Sequence, residues 1–228
     1  MERNKKALIT GASAGFGRAV ALELASRGWQ LVISARGAER LARVGAATGA
    51  TAVAGDIADP AHRRELVRAL GGEPVDLVLN NAGGLGPSPL PALERYPLAE
   101  LRTLFDTNVI APLALTQLAL PALRAADGVV VNISSDAAVA AYAGWGGYGA
   151  TKAALDQLTA VLAVEHPELR IYGFDPGDMR TGMHQAAFPG EDISDRPEPD
   201  TVVPALLRLL GGELPSGRYA ASQLVVAS

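Results

Sequence analysis

Short, β-branched apolar runs alternate with longer alanine- and leucine-rich segments along this chain, and few folds accept such an alternation. The runs are "KALIT", "QLVISA", "TAVAGD", "VDLVLNN", "GVVVNIS", "RIYGFD" and "GRYAAS". Helical spacing of apolar residues falls near 16–27, 38–47, 60–71, 98–125, 148–165 and 200–211. Several runs are apolar at consecutive positions, so both their faces need covering, as in parallel strands with helices on each side. The pattern predicts an α/β fold: a single-domain, doubly wound parallel sheet of about seven strands flanked by helices, spanning 1–228. Ligands of such sheets sit beyond the carboxyl ends of the strands.

Composition narrows the function. With 228 residues and 49 % hydrophobic content, the chain can bury one sizeable core. A net charge of −4 and a pI near 5.4 argue against nucleic acid as a partner. Cysteine is absent, which excludes disulfides, thiolate nucleophiles and cysteine-held metals. The opening "MERNKKALITG" carries too short an apolar run for a signal peptide. The stretch "VIAPLALTQLALPAL" (109–123) is interrupted by Pro112, Thr116, Gln117 and Pro121, and reads as a buried helix rather than a membrane span. A soluble, cytoplasmic protein without a membrane partner is expected. Two Pro/Gly-rich loops, "GGLGPSPLPALERYP" and "GMHQAAFPGEDISDRPEP", are long enough to carry function.

The first run passes directly into "TGASAGFGRAVALELA". Gly11, Gly15 and Gly17 permit a tight turn, close approach of a pyrophosphate and close helix–strand contact, and the helix start offers free amides to phosphates. That makes the sheet Rossmann-type. The same letters contain "GASAG", which fits the G-x-S-x-G elbow of serine hydrolases, with Ser13 as nucleophile and His166 or His184 downstream. Against this, only one strand precedes the motif, and Gly17 has no role in it.

A second constellation is "GWGGYGATKAAL" (144–155), which sets Tyr148 one helical turn ahead of Lys152. Taken alone, such a pair is an ordinary helix-surface contact. Yet apart from Lys5 and Lys6 every other basic side chain that stays charged is arginine, and a compact ammonium differs chemically from a planar fork. Further motifs follow in order: T-G-x-x-x-G-x-G at Thr10–Gly17, "NNAG" at Asn80–Gly83, "DTNVIAP" with Asn108, "NISS" ending at Ser135, "YGATK", and "DPGDMRT" at 175–181. Together they resemble the short-chain dehydrogenase/reductase family over essentially the whole chain.

That resemblance implies an NADP(H)-dependent oxidoreductase interconverting a ketone or aldehyde and an alcohol, with Asn108, Ser135, Tyr148 and Lys152 catalytic. Reduction needs a proton on oxygen. A phenol with an ordinary pKa of about 10 becomes a better acid–base beside an ammonium, so Lys152 is expected to lower Tyr148. Ser135 would donate to the substrate oxygen, Asn108 would hold a water linking Lys152 to solvent, and Lys152 would also hold the nicotinamide ribose. The cofactor is expected against Gly11, Ser13, Gly15, Phe16, Gly17, Asn81, Ala82 and Gly83, with Asp56 and Ile57 at the adenine and Pro176, Gly177, Met179 and Thr181 near the nicotinamide.

Arg36 stands where NAD-preferring proteins carry an acid, so NADP(H) is preferred over NAD(H), with Ser34 and Ser13 as hydroxyl donors to the same sugar. Ala14, where many NADP-using relatives carry a basic residue, softens that preference. His62, His166 and His184 are dispersed, so no metal site is expected; His184, in the variable loop, could face substrate but reads first as a surface histidine. Residues 182–200 form the expected substrate lid, with an apolar first half and an acidic second half favouring a small neutral carbonyl or alcohol. By resemblance the chain pairs through 98–125 and 148–165 into a homodimer or homotetramer. A non-catalytic NADP(H)-binding sensor of the same fold is the rival reading.

Overall fold

The computed structural model describes residues 3–212 and 214–224, and the expected domain limits at 1 and 228 lie outside them. Seven strands form one sheet: Lys6–Thr10 (β1), Gln30–Ala35 (β2), Thr51–Ala54 (β3), Leu77–Asn80 (β4), Val129–Ile133 (β5), Arg170–Asp175 (β6) and Gly217–Ala220 (β7). Their order is β3-β2-β1-β4-β5-β6-β7, and every neighbouring pair is parallel. The winding direction reverses between β1 and β4, which opens the crevice where ligands of such sheets bind.

Alternation along β1 shows why both faces are apolar. Ala7 and Ile9 join the core beneath Gly15–Ser26 (α1), Ala38–Thr48 (α2) and Val203–Leu210 (α8). Leu8 points the other way, beneath Pro60–Ala69 (α3), Ala111–Arg124 (α5) and Gly146–Glu165 (α6). Shorter helices span Leu98–Phe105 (α4), Gly182–Ala187 (α7) and Ala221–Leu224 (α9).

The expected single helix over 98–125 is instead α4, a five-residue π turn at Asp106–Ile110, and α5. Pro112 has no N–H for the carbonyl of Asn108, four residues earlier, and its ring crowds that carbonyl, so the ladder widens there. The run Leu98–Arg124 is long enough for a membrane span and holds an 18-residue window with a mean hydropathy of 1.2. Its apolar stripe, with Ala111, Leu115, Ala119 and Leu123 fully buried, nevertheless packs on the sheet. The helix expected at 200–211 splits likewise, into a 3-10 turn at Pro199–Val202 and α8.

Candidate active site

The carboxyl ends of β1, β2, β4, β5 and β6 border one cleft of about 630 Å³. One end of it is built by the glycine turn. Gly11 and Gly15 adopt φ +67° and +53°, values that a side chain would strain. Gly17 does not line the cleft; a Cβ there would collide with the Asn81 amide and the Gly11 carbonyl. It allows α1 to rest on the strand ends instead. The side chain of Asn81 donates to the carbonyls of Thr10 (2.9 Å) and Gly11 (3.2 Å), while Thr10 Oγ1 accepts from the backbone N–H groups of Asn81 and Ala82, each at 3.0 Å. The "NNAG" motif thus holds the turn in shape, a role its letters did not disclose. Ala14 sits at the cap of α1 with no side-chain cap, so the first-turn N–H donors of Gly15 and Phe16 remain free toward the cleft.

Ser13, Arg36, Asp56, Ile57, Ala82 and Gly83 also line this end. Arg40, in the first turn of α2 and four residues after Arg36, adds a second guanidinium that its closeness in sequence could have revealed. Ser34 departs from expectation. It lines the cleft but is 98 % buried, and its Oγ lies 2.8 Å from His62 Nε2, so its hydroxyl is shared with a histidine on α3.

At the opposite end, Tyr148 and Lys152 lie on the buried face of α6. The start of that helix is glycine-rich because neighbours press on it: a Cβ at Gly147 would enter the Tyr96 ring, and one at Gly149 would meet the Ala137 carbonyl at 2.6 Å. Lys152 Nζ donates to the Ile133 carbonyl at the end of β5 (2.7 Å) and sits 5.5 Å from the centre of the Tyr148 ring. Burial brings the lysine down to about 8, against the opposing pull of Asp156 and Asp175. The expectation that Lys152 lowers Tyr148 is not met by the polypeptide alone. Burial pushes the phenol well up, Ser135 draws it partly back, and Asp175 and Asp136 add to the rise. A tyrosine nine-tenths desolvated loses more from burying its anion than this geometry returns.

Ser135 faces the cleft, accepts from Ala137 N–H (3.2 Å) and donates to Asp136 Oδ1 (3.0 Å). Asn108 is fully buried and does not line the cleft. Its amide donates to the Gly84 carbonyl (2.9 Å) and Thr151 Oγ1 (3.0 Å), and its Oδ1 accepts from Gly84 N–H (2.8 Å). Both side-chain N–H groups are therefore committed to protein partners.

Pro176, Gly177, Met179 and Thr181 line the wall after β6, with Gly177 at φ +72°. His184, expected at the surface, is buried and lines the cleft, with Nδ1 3.6 Å from Asp178 Oδ1 and its ring 4.9 Å from that of Phe188. The signal was its place on α7, where the Thr181 cap turns it inward. The two Pro/Gly-rich loops meet over Tyr148, with Leu85, Leu90, Trp145, Ala187 and Phe188 packed about it. The acidic half of the expected lid does not line the cleft; Glu191, Asp192, Asp195, Glu198 and Asp200 face solvent. Apart from Asp56 at the glycine-turn end, the carboxylates that line the cleft belong instead to Glu100, Asp136, Asp175 and Asp178. His166 lies beyond the end of α6, at the amino ends of the strands beside Arg124 and Glu168 and opposite the cleft, so it cannot serve Ser13.

Residues 5–192 match the short chain dehydrogenase family. The chain belongs to that family. A serine 3-dehydrogenase of Rhizobium radiobacter is 37 % identical over 194 residues, 79 % of this chain and 77 % of that one. The sepiapterin reductase of Mus musculus is 36 % identical over 199 residues, covering 79 % and 76 %. Among solved structures, a short chain dehydrogenase from Shigella flexneri complexed with NADP superposes with a TM-score of 0.89 at 29 % identity, over 96 % of this chain and 98 % of that one. This short-chain dehydrogenase is accordingly a NAD(P)-dependent oxidoreductase acting on CH–OH or C=O groups, and the hydrolase reading of "GASAG" falls.

Proposed function

We propose that this chain is an NADP(H)-preferring carbonyl reductase or alcohol dehydrogenase whose proton donor is Tyr148. The observation that carries this reading is the shared cleft: uncapped α1 amides and Arg36 with Arg40 at one end, and Tyr148, Lys152 and Ser135 at the other. The residues fit a dinucleotide, because the amides suit its pyrophosphate and the two guanidinium groups suit a 2′-phosphate. When bound, the cofactor supplies or accepts the hydride.

The side chains handle the proton. A phenol held above its ordinary value is fully protonated at neutral pH, ready to give its proton to the oxygen of a reduced carbonyl. The Lys152 ammonium then stabilises the phenolate left behind, and Ser135 donates to the same substrate oxygen once released from Asp136. Reprotonation follows through Lys152 and the Asn108 turn. In the oxidative direction the same groups run in reverse. Asp136 and Asp178 at the substrate end oppose anions, which favours a small neutral ketone, aldehyde or secondary alcohol. Residues 182–200, with α7 closing on Trp145, act as the substrate lid.

Incubation with a panel of carbonyl compounds, following oxidation of NADPH and of NADH, tests the reading. Turnover of neutral ketones with NADPH in preference to NADH is expected. Binding of NADPH without turnover of any carbonyl would favour the sensor alternative. Turnover of acetoacetyl-CoA rivalling that of simple aryl ketones would overturn the substrate class.

A further inference from the structure

Behind the cleft wall lies a charged cluster that no motif announces. Asp156 stands one helical turn beyond Lys152 and two beyond Tyr148 on the same face of α6. Arg218, from β7 and distant in sequence, reaches it: Nε donates to Asp156 Oδ2 (2.9 Å), and Nη2 donates to both Asp175 Oδ2 (3.0 Å) and the Ser135 carbonyl (2.9 Å). Asp156 Oδ2 also accepts from Ser134 Oγ at 2.8 Å, while its Oδ1 is buried without a partner. Asp175 Oδ1 accepts from Gly177 N–H (3.0 Å), so one arginine ties together the serine turn, the wall after β6 and the lysine helix.

We propose that Asp156 and Arg218 are positioning residues that set the charge of Lys152, Asp156 keeping it an ammonium and Arg218 limiting that pull. The proposal rests on the role given above to Lys152. Its logic is charge balance in a poorly solvated place, where two cations, Lys152 and Arg218, face two carboxylates, Asp156 and Asp175. Among the described residues, the charged and titratable groups around the lysine come from several elements. Its own helix supplies Tyr148 and Asp156, β6 supplies Asp175, β7 supplies Arg218, and the turn after β5 supplies Asp136, which faces Tyr148. β5 and the π turn contribute the neutral Ile133 carbonyl and Asn108. Removing a carboxylate disfavours the ammonium, and removing the arginine favours it, so the two substitutions act with opposite signs.

Lys5, Lys6 and Lys152 are the only lysines, so the side chain can be followed directly in protein carrying carbon-13 at lysine Cε. The parent should show one lysine titrating near pH 8. Asp156→Asn should move that midpoint down by about one unit, Arg218→Gln should move it up by a similar amount, and Arg218→Lys should restore it. The alkaline limb of kcat for carbonyl reduction should move in the same two directions. A purely structural network would lower kcat in both variants without opposite displacement. Midpoints that stay put, or move the same way in both variants, overturn the proposal, and either variant alone carries its sign. The titration needs no turnover, so a parent that reduces no carbonyl would defeat the reaction proposed above while leaving this measurement readable.

Discussion

Tyr148 illustrates how a side chain's chemistry depends on where it is put. Free in water a phenol is a poor acid; here burial makes it poorer still, and the Ser135 hydroxyl works against that trend. If the phenol gives the proton, Tyr148→Phe should reduce kcat by about 10²-fold or more. The ring fills the same space, so the dissociation constant for NADPH, measured by fluorescence quenching, should change little. Full activity in that variant would remove Tyr148 from the mechanism. Arg36 and Arg40 make a parallel case at the other end of the cleft. Arg36→Leu should raise the Michaelis constant for NADPH about tenfold, as loss of a charge-assisted contact to phosphate would, and leave that for NADH nearly unchanged. The double variant with Arg40→Leu should bring the two cofactors close to parity. Equal effects on both cofactors in the single variant would mean that Arg36 does not read a phosphate.

Elements hold these side chains through polar ties buried in the core. Asn80 on β4 donates to Asn132 Oδ1 on β5 (2.7 Å) and to Thr116 on α5 (3.2 Å), while Asn132 donates to Thr159 on α6 (2.8 Å). This ladder joins two central strands to the two helices that carry the π turn and the Tyr148–Lys152 pair. Asn132→Ala should cost about 2 kcal/mol or more, because it strands an N–H of Asn80 in a dry interior and opens a void. Urea unfolding would show it as a lower midpoint at unchanged slope. A midpoint equal to the parent's would mean that relaxation or water satisfies the stranded group. The alternating apolar runs gave the strands to within a residue or two, since a both-faces-apolar run has few alternatives. They did not give the π turn, although Pro112 was in plain view. Its effect depends on whether the carbonyl four residues back lies in a helix that tertiary packing keeps continuous.

At the scale of the whole molecule, one sheet with helices on both faces leaves a further surface to explain. Ile110 and Leu118 on the α4–α5 run are exposed, as are Val161 and Val164 on α6, with Val164 81 % accessible. Ala150, Ala153, Gln157 and Ala160 continue that stripe along α6 with small or neutral side chains. If the chain pairs as the family resemblance implies, this stripe is the face expected to meet a second copy. Val164→Glu should shift the sedimentation coefficient toward that of a 23.5 kDa monomer, while a parent that already sediments as a monomer would refute the assembly.

From the letters alone came the order of elements, the glycine turn with its free helix start, and the residue types able to move a proton, because each depends on local spacing or on the chemistry of one side chain. Other features were decided by tertiary structure: the committed amide of Asn108, the His62 contact that occupies Ser34, the inward turn of His184, and the reach of Arg218 to three elements. In each case the deciding partner lies 28 or more residues away or on another layer of the fold, or the outcome depends on burial. Pairings and desolvation of that kind exist only once the sheet has closed over them. The sequence therefore determined which groups are available at the cleft, and the fold determined which of them are free to act and in what charge state.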